Sequence, residues 1–213
     1  MGITERKARE KEELRQLIIT TATDLFREVG YAGVSMRKIA KRIEYSVGTL
    51  YVYYKDKDEL FFAVQKAAFR RGLVYIQDLP ELEQPIDRLR AMGDRYIRFG
   101  LENPDLYRLM FMMDKPMQAL EDDRQWEPGI ELHNMLAALI NDCIAAGQLP
   151  DKDPDRTSFS VWSFVHGMVS LYIVDRLHIY ENLESTTQLR GMDIEELLFA
   201  SNRTMIELIQ TDR

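Results

Sequence analysis

The side chains best suited to gripping a partner fall in one short stretch: Ser46, Val47, Gly48, Thr49, Tyr51 and Val52, followed by Lys57. Thr49 and Tyr51 carry hydroxyls that can donate to phosphate oxygens, and Lys57 adds a cation at the start of a following helix. Gly48 has no Cβ, so a nucleic-acid backbone could approach it closely. Ser46 is a natural helix cap, and backbone amides at helix starts attract anions. Hydroxyls, a cation and a bare backbone in this order suit the recognition of a phosphate-bearing duplex. The sequence contains no G-x-S-x-G, P-loop, dinucleotide fingerprint or H-E-x-x-H, which weakens an enzymatic reading.

Metal, cofactor and redox chemistry find little support. His133, His166 and His178 lie on separate segments with no carboxylate or cysteine at ligand spacing beside them, so neither a metal nor a cofactor is expected. Cys143 is alone, which excludes an internal disulfide and fits a reducing compartment. The longest unbroken apolar run, Met135 to Ile140, is far short of the ~20 residues a membrane helix needs, and the start MGITERKARE has no signal-peptide core. A cytoplasmic protein without membrane contact is expected.

Charge is distributed unevenly. The 213-residue chain has a net charge of -7, yet residues 1–71 hold 15 Lys+Arg against 10 Asp+Glu, while residues 72–213 hold 13 against 25. A basic first third could sit on phosphates while an acidic body stays away from them.

The elements that position these residues read as helices almost throughout. Leu14, Leu17, Ile18, Ala22, Leu25, Phe26 and Val29 recur at steps of three and four, and Gly30 follows as a stop. Ser35 can cap a second helix to about Ile43, with Val34 as a staple on Ile39. Tyr45-Ser46 repeats the device, with Leu50 as staple partner, for a short third helix over roughly Val47 to Tyr53. Asp56 with Glu59 resembles a capping box for a fourth. Pro80, Pro85, Asn103-Pro104 and Pro116 punctuate further amphipathic segments without strand-like alternation. Pro128 can open a helix ending near Gly147, Asp153-Pro154 one reaching His178, and Asp193 with Glu196 one to about Gln210. The expected fold is therefore all-α, with about nine helices. Ile39, Ala40, Ile43 and Leu50 would lock the second and third helices together, so that the third could enter a major groove.

The run YAGVSMRKIAKRIEYSVGTLYVYYKDKDEL resembles the DNA-binding domain of TetR-type transcriptional regulators, over about residues 12–72. Gly48-Thr49-Leu50-Tyr51, then Tyr54-Lys55, Lys57 and Leu60, carries the likeness. The resemblance implies an N-terminal arm at 1–11, a helix-turn-helix head at 12–72 and a ligand-binding and dimerisation body at 73–213. It implies base contacts from Arg37, Val47, Gly48, Tyr51 and Val52, and phosphate contacts from Thr49, Tyr51, Tyr53 and Lys57. Glu44 and Tyr45 depart from the family pattern, which has Gly followed by a small aliphatic residue in the turn. A Glu44 forced into a left-handed conformation would cost about 1 kcal/mol relative to Gly. The arm of Arg6, Lys7, Arg9 and Lys11 is interleaved with Glu5, Glu10, Glu12 and Glu13, and reads as a solvated helix start.

In the body, Trp162, His166 and Gly167 resemble the Trp-His-Gly motif of one subclass of these regulators, and Tyr107 to Phe111 fits the same subclass. Phe99, Tyr107, Met110, Phe111, Trp162 and His166 are the expected lining of a mostly apolar ligand pocket. Tyr107, Met110, Phe111, Met112, Met113 and Met117 could equally be plain core. A homodimer is expected, since one short recognition helix reads too few base pairs for a genomic address. Its seam would come from Val161, Val165 and Met168 on the helix from Pro154, and from Ile194, Leu197, Leu198, Met205 and Leu208 on the last one. The expected partners are thus a double-stranded operator, a small-molecule effector and a second copy of the chain. A ligand-released repressor is the leading reading; a helical sensor or interaction module without DNA binding, or a helical enzyme, are the alternatives.

Overall fold

The computed structural model describes residues 2–113, 127–180 and 193–210, and among these the chain forms nine α-helices and no strand. They are α1 (Ile3–Gly33), α2 (Met36–Arg42), α3 (Val47–Tyr51), α4 (Lys57–Gln77), α5 (Pro85–Glu102), α6 (Pro104–Phe111), α7 (Glu127–Ala145), α8 (Pro154–Ile173) and α9 (Ile194–Gln210). A 3-10 turn follows α8 at His178–Tyr180. The all-α class is the one read from the sequence. Pro116 and Met117 lie outside the described residues.

Helix ends follow local chemistry. Gly30 interrupts α1 with φ 68°, a conformation that costs glycine little. After α7, Gly147 takes φ 66°, and the amides of Gln148 and Gly147 donate to the carbonyls of Cys143 and Ile144. The same paired bonds end α8, where Asp175 stands at φ 60° and the Arg176 and Asp175 amides donate to Leu171 and Tyr172. The expected run to His178 therefore stops at Ile173, because a left-handed aspartate reverses the chain there.

The chain divides into two compact units, one of Met1–Arg71 with Asp105–Trp126, the other of Gly72–Pro104 with Glu127–Arg213. Chain order alone would place α6 in the 73–213 segment, but most of α6 groups with the first unit. Leu106, Tyr107, Leu109 and Met110 are buried, Phe111 packs edge-on to Phe69 at 5.0 Å, and the Gln65 amide donates to the Leu109 carbonyl at 3.1 Å. The rest of the first core is aromatic, with Phe26 and Tyr31 set against Phe61 at 4.8 and 5.0 Å.

In the second unit α5 is central and packs on α7, α8 and α9. Its buried glycine, Gly93, lets Asn202 of α9 come close, and the Asn202 amide donates to the Arg90 carbonyl at 3.1 Å and to Asp94 Oδ1 at 2.8 Å. Burial pushes the Asp94 carboxyl above its usual range, against the pull of that bond and of nearby arginines. A Cβ at position 93 would stand 2.5 Å from Asn202 Oδ1, and Asn202 cannot swing aside without losing both bonds. Gly93→Ala is expected to lower stability by about 1–3 kcal/mol, measured by denaturant unfolding. An unchanged midpoint would show that α5 and α9 separate freely here.

Candidate nucleic-acid interface

The site is built from the α2–α3 turn outward. Ser35 Oγ accepts from the Lys38 amide at 3.2 Å and starts α2, whose Ile39 and Ala40 are buried. The helix ends by a double clasp: the Tyr45 amide donates to the Ala40 carbonyl at 3.0 Å and the Glu44 amide to the Lys41 carbonyl at 3.3 Å. Closing it requires a left-handed residue, and Glu44 stands at φ 60°. Ser46 Oγ then accepts from the Thr49 amide at 3.0 Å, which opens α3 one residue after the clasp. Leu50 is the one α3 side chain fully sealed in the head, so the five-residue helix presents the rest of its surface outward.

That outer surface has the expected composition. Tyr51 is 53% exposed and Val52 74%, which solvation alone does not favour for apolar groups. Arg37, Ser46 and Gly48 are exposed, while Val47, Thr49 and Tyr53 are half-buried. The Thr49 hydroxyl lies 2.8 Å from Ser46 Oγ. A Cβ at Gly48 would have only Ser46 Oγ near it, at 3.6 Å, so nothing inside the protein requires glycine there. Glycine in a helix costs about 1 kcal/mol relative to alanine, so its use points to an approach from outside.

Two readings need correction. Lys57 does not reach outward: its ammonium donates to the carbonyls of Tyr31 at 3.1 Å and Val34 at 3.2 Å, and sits 3.9 Å from the Tyr31 ring centroid. The Tyr31 carbonyl, which also accepts from the Val34 amide, the Val34 carbonyl and an electron-rich ring draw the cation inward. Lys57 thus braces the start of α4, alongside the Asp56 carboxylate accepting from the Glu59 amide at 2.8 Å. Tyr45, expected as a staple on Leu50, is 46% exposed instead. It adds an aromatic surface beside the α3 cap that the periodicity did not flag. Its one signal was a large aromatic where the family pattern has a small aliphatic.

The expected pocket residues are split between the units. Tyr107 and Met110 are buried in the first, where Phe111 is half-buried and packs on Tyr107 and Phe69, which makes them core there. Phe99, Trp162 and His166 belong to the second, where His166 stacks on Trp162 at 5.0 Å and its Nδ1 lies 3.1 Å from the Tyr96 hydroxyl. Burial pushes the His166 pKa down, which keeps the ring neutral at pH 7. Of the expected seam residues, Val161, Val165, Leu198 and Met205 are buried within their own unit and are not available to a second chain. Met168, Ile194 and Leu197 are half-buried, and Leu208 is exposed. α8 has a second apolar face, with Phe164, Gly167 and Leu171 at helical spacing, extended by the C-cap residue Val174; Phe164, Leu171 and Val174 are exposed.

The histidines are also better placed than spacing suggested: His133 lies 3.3 Å from Asp155 and His178 3.0 Å from Asp175. No group of three or more His, Cys, Asp or Glu among the described residues could hold a metal. Burial pushes the Cys143 thiol up to about 11, so it is no nucleophile at neutral pH. No helix among the described residues is long and apolar enough to cross a membrane.

Two substitutions test this geometry. Glu44→Gly should raise stability by about 1 kcal/mol by releasing the left-handed residue, read as a higher denaturant midpoint; an unchanged midpoint would mean the turn is unstrained. Gly48→Ala should stabilise the head by up to about 1 kcal/mol while weakening duplex binding. Affinity that survives the added methyl would remove Gly48 from the interface.

Comparison with known proteins agrees with this geometry. Residues 18–64 match the model of bacterial regulatory proteins of the tetR family, and residues 89–189 match a tetracyclin repressor-like C-terminal domain. The HTH-type transcriptional regulator HbdR of Aromatoleum sp. (strain CIB) is 26% identical over 199 residues, covering 91% of this chain and 84% of that protein. Among solved structures, a TetR transcription regulator from Haloarcula marismortui superposes with a TM-score of 0.71 at 22% identity, covering 93% of this chain and 98% of the other. The TetR family regulator PfmR from Thermus thermophilus gives 0.65 at 18%, covering 92% and 99%. With both halves matched and a helix-turn-helix in the first, the chain belongs to the TetR family of DNA-binding transcriptional regulators.

Proposed function

We propose that this regulator is a homodimeric repressor that holds a palindromic duplex operator with two copies of α3 and leaves it when a small, mostly apolar ligand binds. The observation that carries the reading is the α3 surface, where a helical glycine that packing does not need stands among an exposed tyrosine, an exposed valine and capped hydroxyls. Arg37, Val47, Gly48, Tyr51 and Val52 would face base edges, with the Val52 methyls suited to thymine methyl groups. Ser46, Thr49, Tyr51 and Tyr53 would hold phosphates. A five-residue helix covers few base pairs, so two heads spaced by about one helical turn, roughly 34–36 Å, would supply the rest of the address.

The second copy would dock on the outer apolar face of α8, through Phe164, Gly167, Leu171 and Val174, joined by Leu208 of α9. This replaces the seam expected from Val161, Val165, Leu198 and Met205. The ligand would take its place in the second unit near Phe99, Trp162 and His166. A neutral imidazole bonded to Tyr96 there provides one polar handle among apolar rings. Release would travel along α4, one helix whose residues belong to both units. A ligand shifts DNA affinity only by its preference between the two arrangements, and a coupling of about 1–3 kcal/mol gives roughly 5- to 150-fold weaker binding.

Selection of bound duplexes from a random pool is the test of the function, and an inverted repeat is expected. Binding with no sequence preference, or none at low salt, would contradict it. Tyr51→Ala should weaken binding to the selected site by on the order of 1 kcal/mol or more per head. By sedimentation, the wild-type chain should be a dimer at micromolar concentration and Leu171→Glu a monomer with unchanged helical content. A dimer that tolerates the glutamate would move the seam elsewhere.

A further inference from the structure

The first turns of α1 stand clear of the core. From Thr4 to Leu17 the side chains are exposed, apart from a half-buried Leu14, and Ile18 is the first one sealed. At a rise of 1.5 Å per residue, Ile3 to Leu17 makes a helical rod about 22 Å long. Its charges nearly cancel in number, but the helix sorts them by face.

At about 100° per residue, Lys7, Lys11 and Arg15 fall on one stripe, and this stripe continues into the buried residues Ile18, Ala22 and Leu25. Glu5, Glu10, Glu12 and Glu13 all fall on the opposite half, together with Arg6 and Arg9. There the charges are used up locally: Arg6 pairs with Glu10 at 3.5 Å, Arg9 with Glu13 at 3.4 Å, and Glu12 accepts from Gln16 at 2.8 Å. Among the described residues no acidic side chain pairs with Lys7 or Lys11, and both are exposed.

The stripe also has a direction. Arg15, its last cation, lies near Tyr54, whose buried hydroxyl has no hydrogen-bond partner among the described residues. Tyr54 is buried just after α3, and its amide donates to the Leu50 carbonyl at 3.0 Å. The stripe of Lys7, Lys11 and Arg15 therefore ends near the buried residue that comes just after α3.

We infer that the N-terminal rod of α1 is a second duplex-binding element, which lays Lys7 and Lys11 along the phosphate backbone next to the site held by α3. This rests on the duplex-binding reading of α3 and extends it. The occupant is the DNA backbone rather than an acidic protein, because the stripe belongs to the unit that holds α2 and α3 and carries cations without an apolar anchor that a protein partner would fill. The contact would be sequence-independent, so it adds affinity and length of site without adding base preference.

The test compares two double variants with the same charge change on opposite faces. Lys7→Gln/Lys11→Gln removes the free stripe, and Arg6→Gln/Arg9→Gln removes the paired one. Affinity for the selected duplex is measured over a range of salt, with helical content checked by circular dichroism. Loss of two phosphate contacts should make the slope of log affinity against log salt shallower by about 1.8 per bound chain for the lysine variant, while the arginine variant keeps the wild-type slope. Equal slopes in all three proteins, or equal losses in both variants, would overturn the proposal; the second result would mean that net charge acts and not a face. If the wild-type chain itself fails to bind duplex, the reading of α3 has failed first, and Tyr51→Ala then changes nothing either.

Discussion

The interface depends on one residue held in a costly backbone conformation. Glu44 must be left-handed for the Tyr45 amide to reach the Ala40 carbonyl, and only then does the chain turn back in time for Ser46 to cap α3. A non-glycine residue at positive φ costs about 1 kcal/mol, and the clasp bonds and the burial of Ile39, Ala40, Ile43 and Leu50 offset that cost. Helix α3 is too short to be stable alone. It exists because a turn fixes its first residue and a core residue fixes its last turn, which leaves a rigid outer surface of small and aromatic side chains.

Lys57 extends the same logic to the next element. A cation at the start of a helix opposes the helix dipole, so its position needs another cause. Two carbonyls after the break in α1 and the Tyr31 ring supply it. The brace ties the end of α1 to the start of α4, and α4 then runs on into the second unit. The start of α4 is thereby fixed to the same residues that frame α3.

Much of this was legible in the residues. Serines at 35 and 46 marked both caps, and the spacing of Ile39, Ala40, Ile43 and Leu50 marked the internal face; the Glu44 departure singled out the turn but left its backbone conformation open, and the structure makes it left-handed. What periodicity could not show was direction in three dimensions. Lys57 has the type and place of a phosphate ligand, but the carbonyls that capture it are contributed by residues 23 and 26 positions earlier. α8 is apolar on two faces, and sequence alone could not tell the one that α5 and α7 cover from the one left open. Tyr107 and Met110 looked like pocket lining because their softness and size suit a pocket and a core alike.

Methylation protection on the selected operator addresses the placement of α3 most directly, because guanine N7 lies in the major groove and adenine N3 in the minor groove. Protection of guanine N7 in both half-sites, lost in the Tyr51→Ala protein, is the expected result. Protection confined to adenine N3, or guanine N7 left reactive throughout a fully occupied site, would contradict a recognition helix built on the Glu44 turn and seated in the major groove.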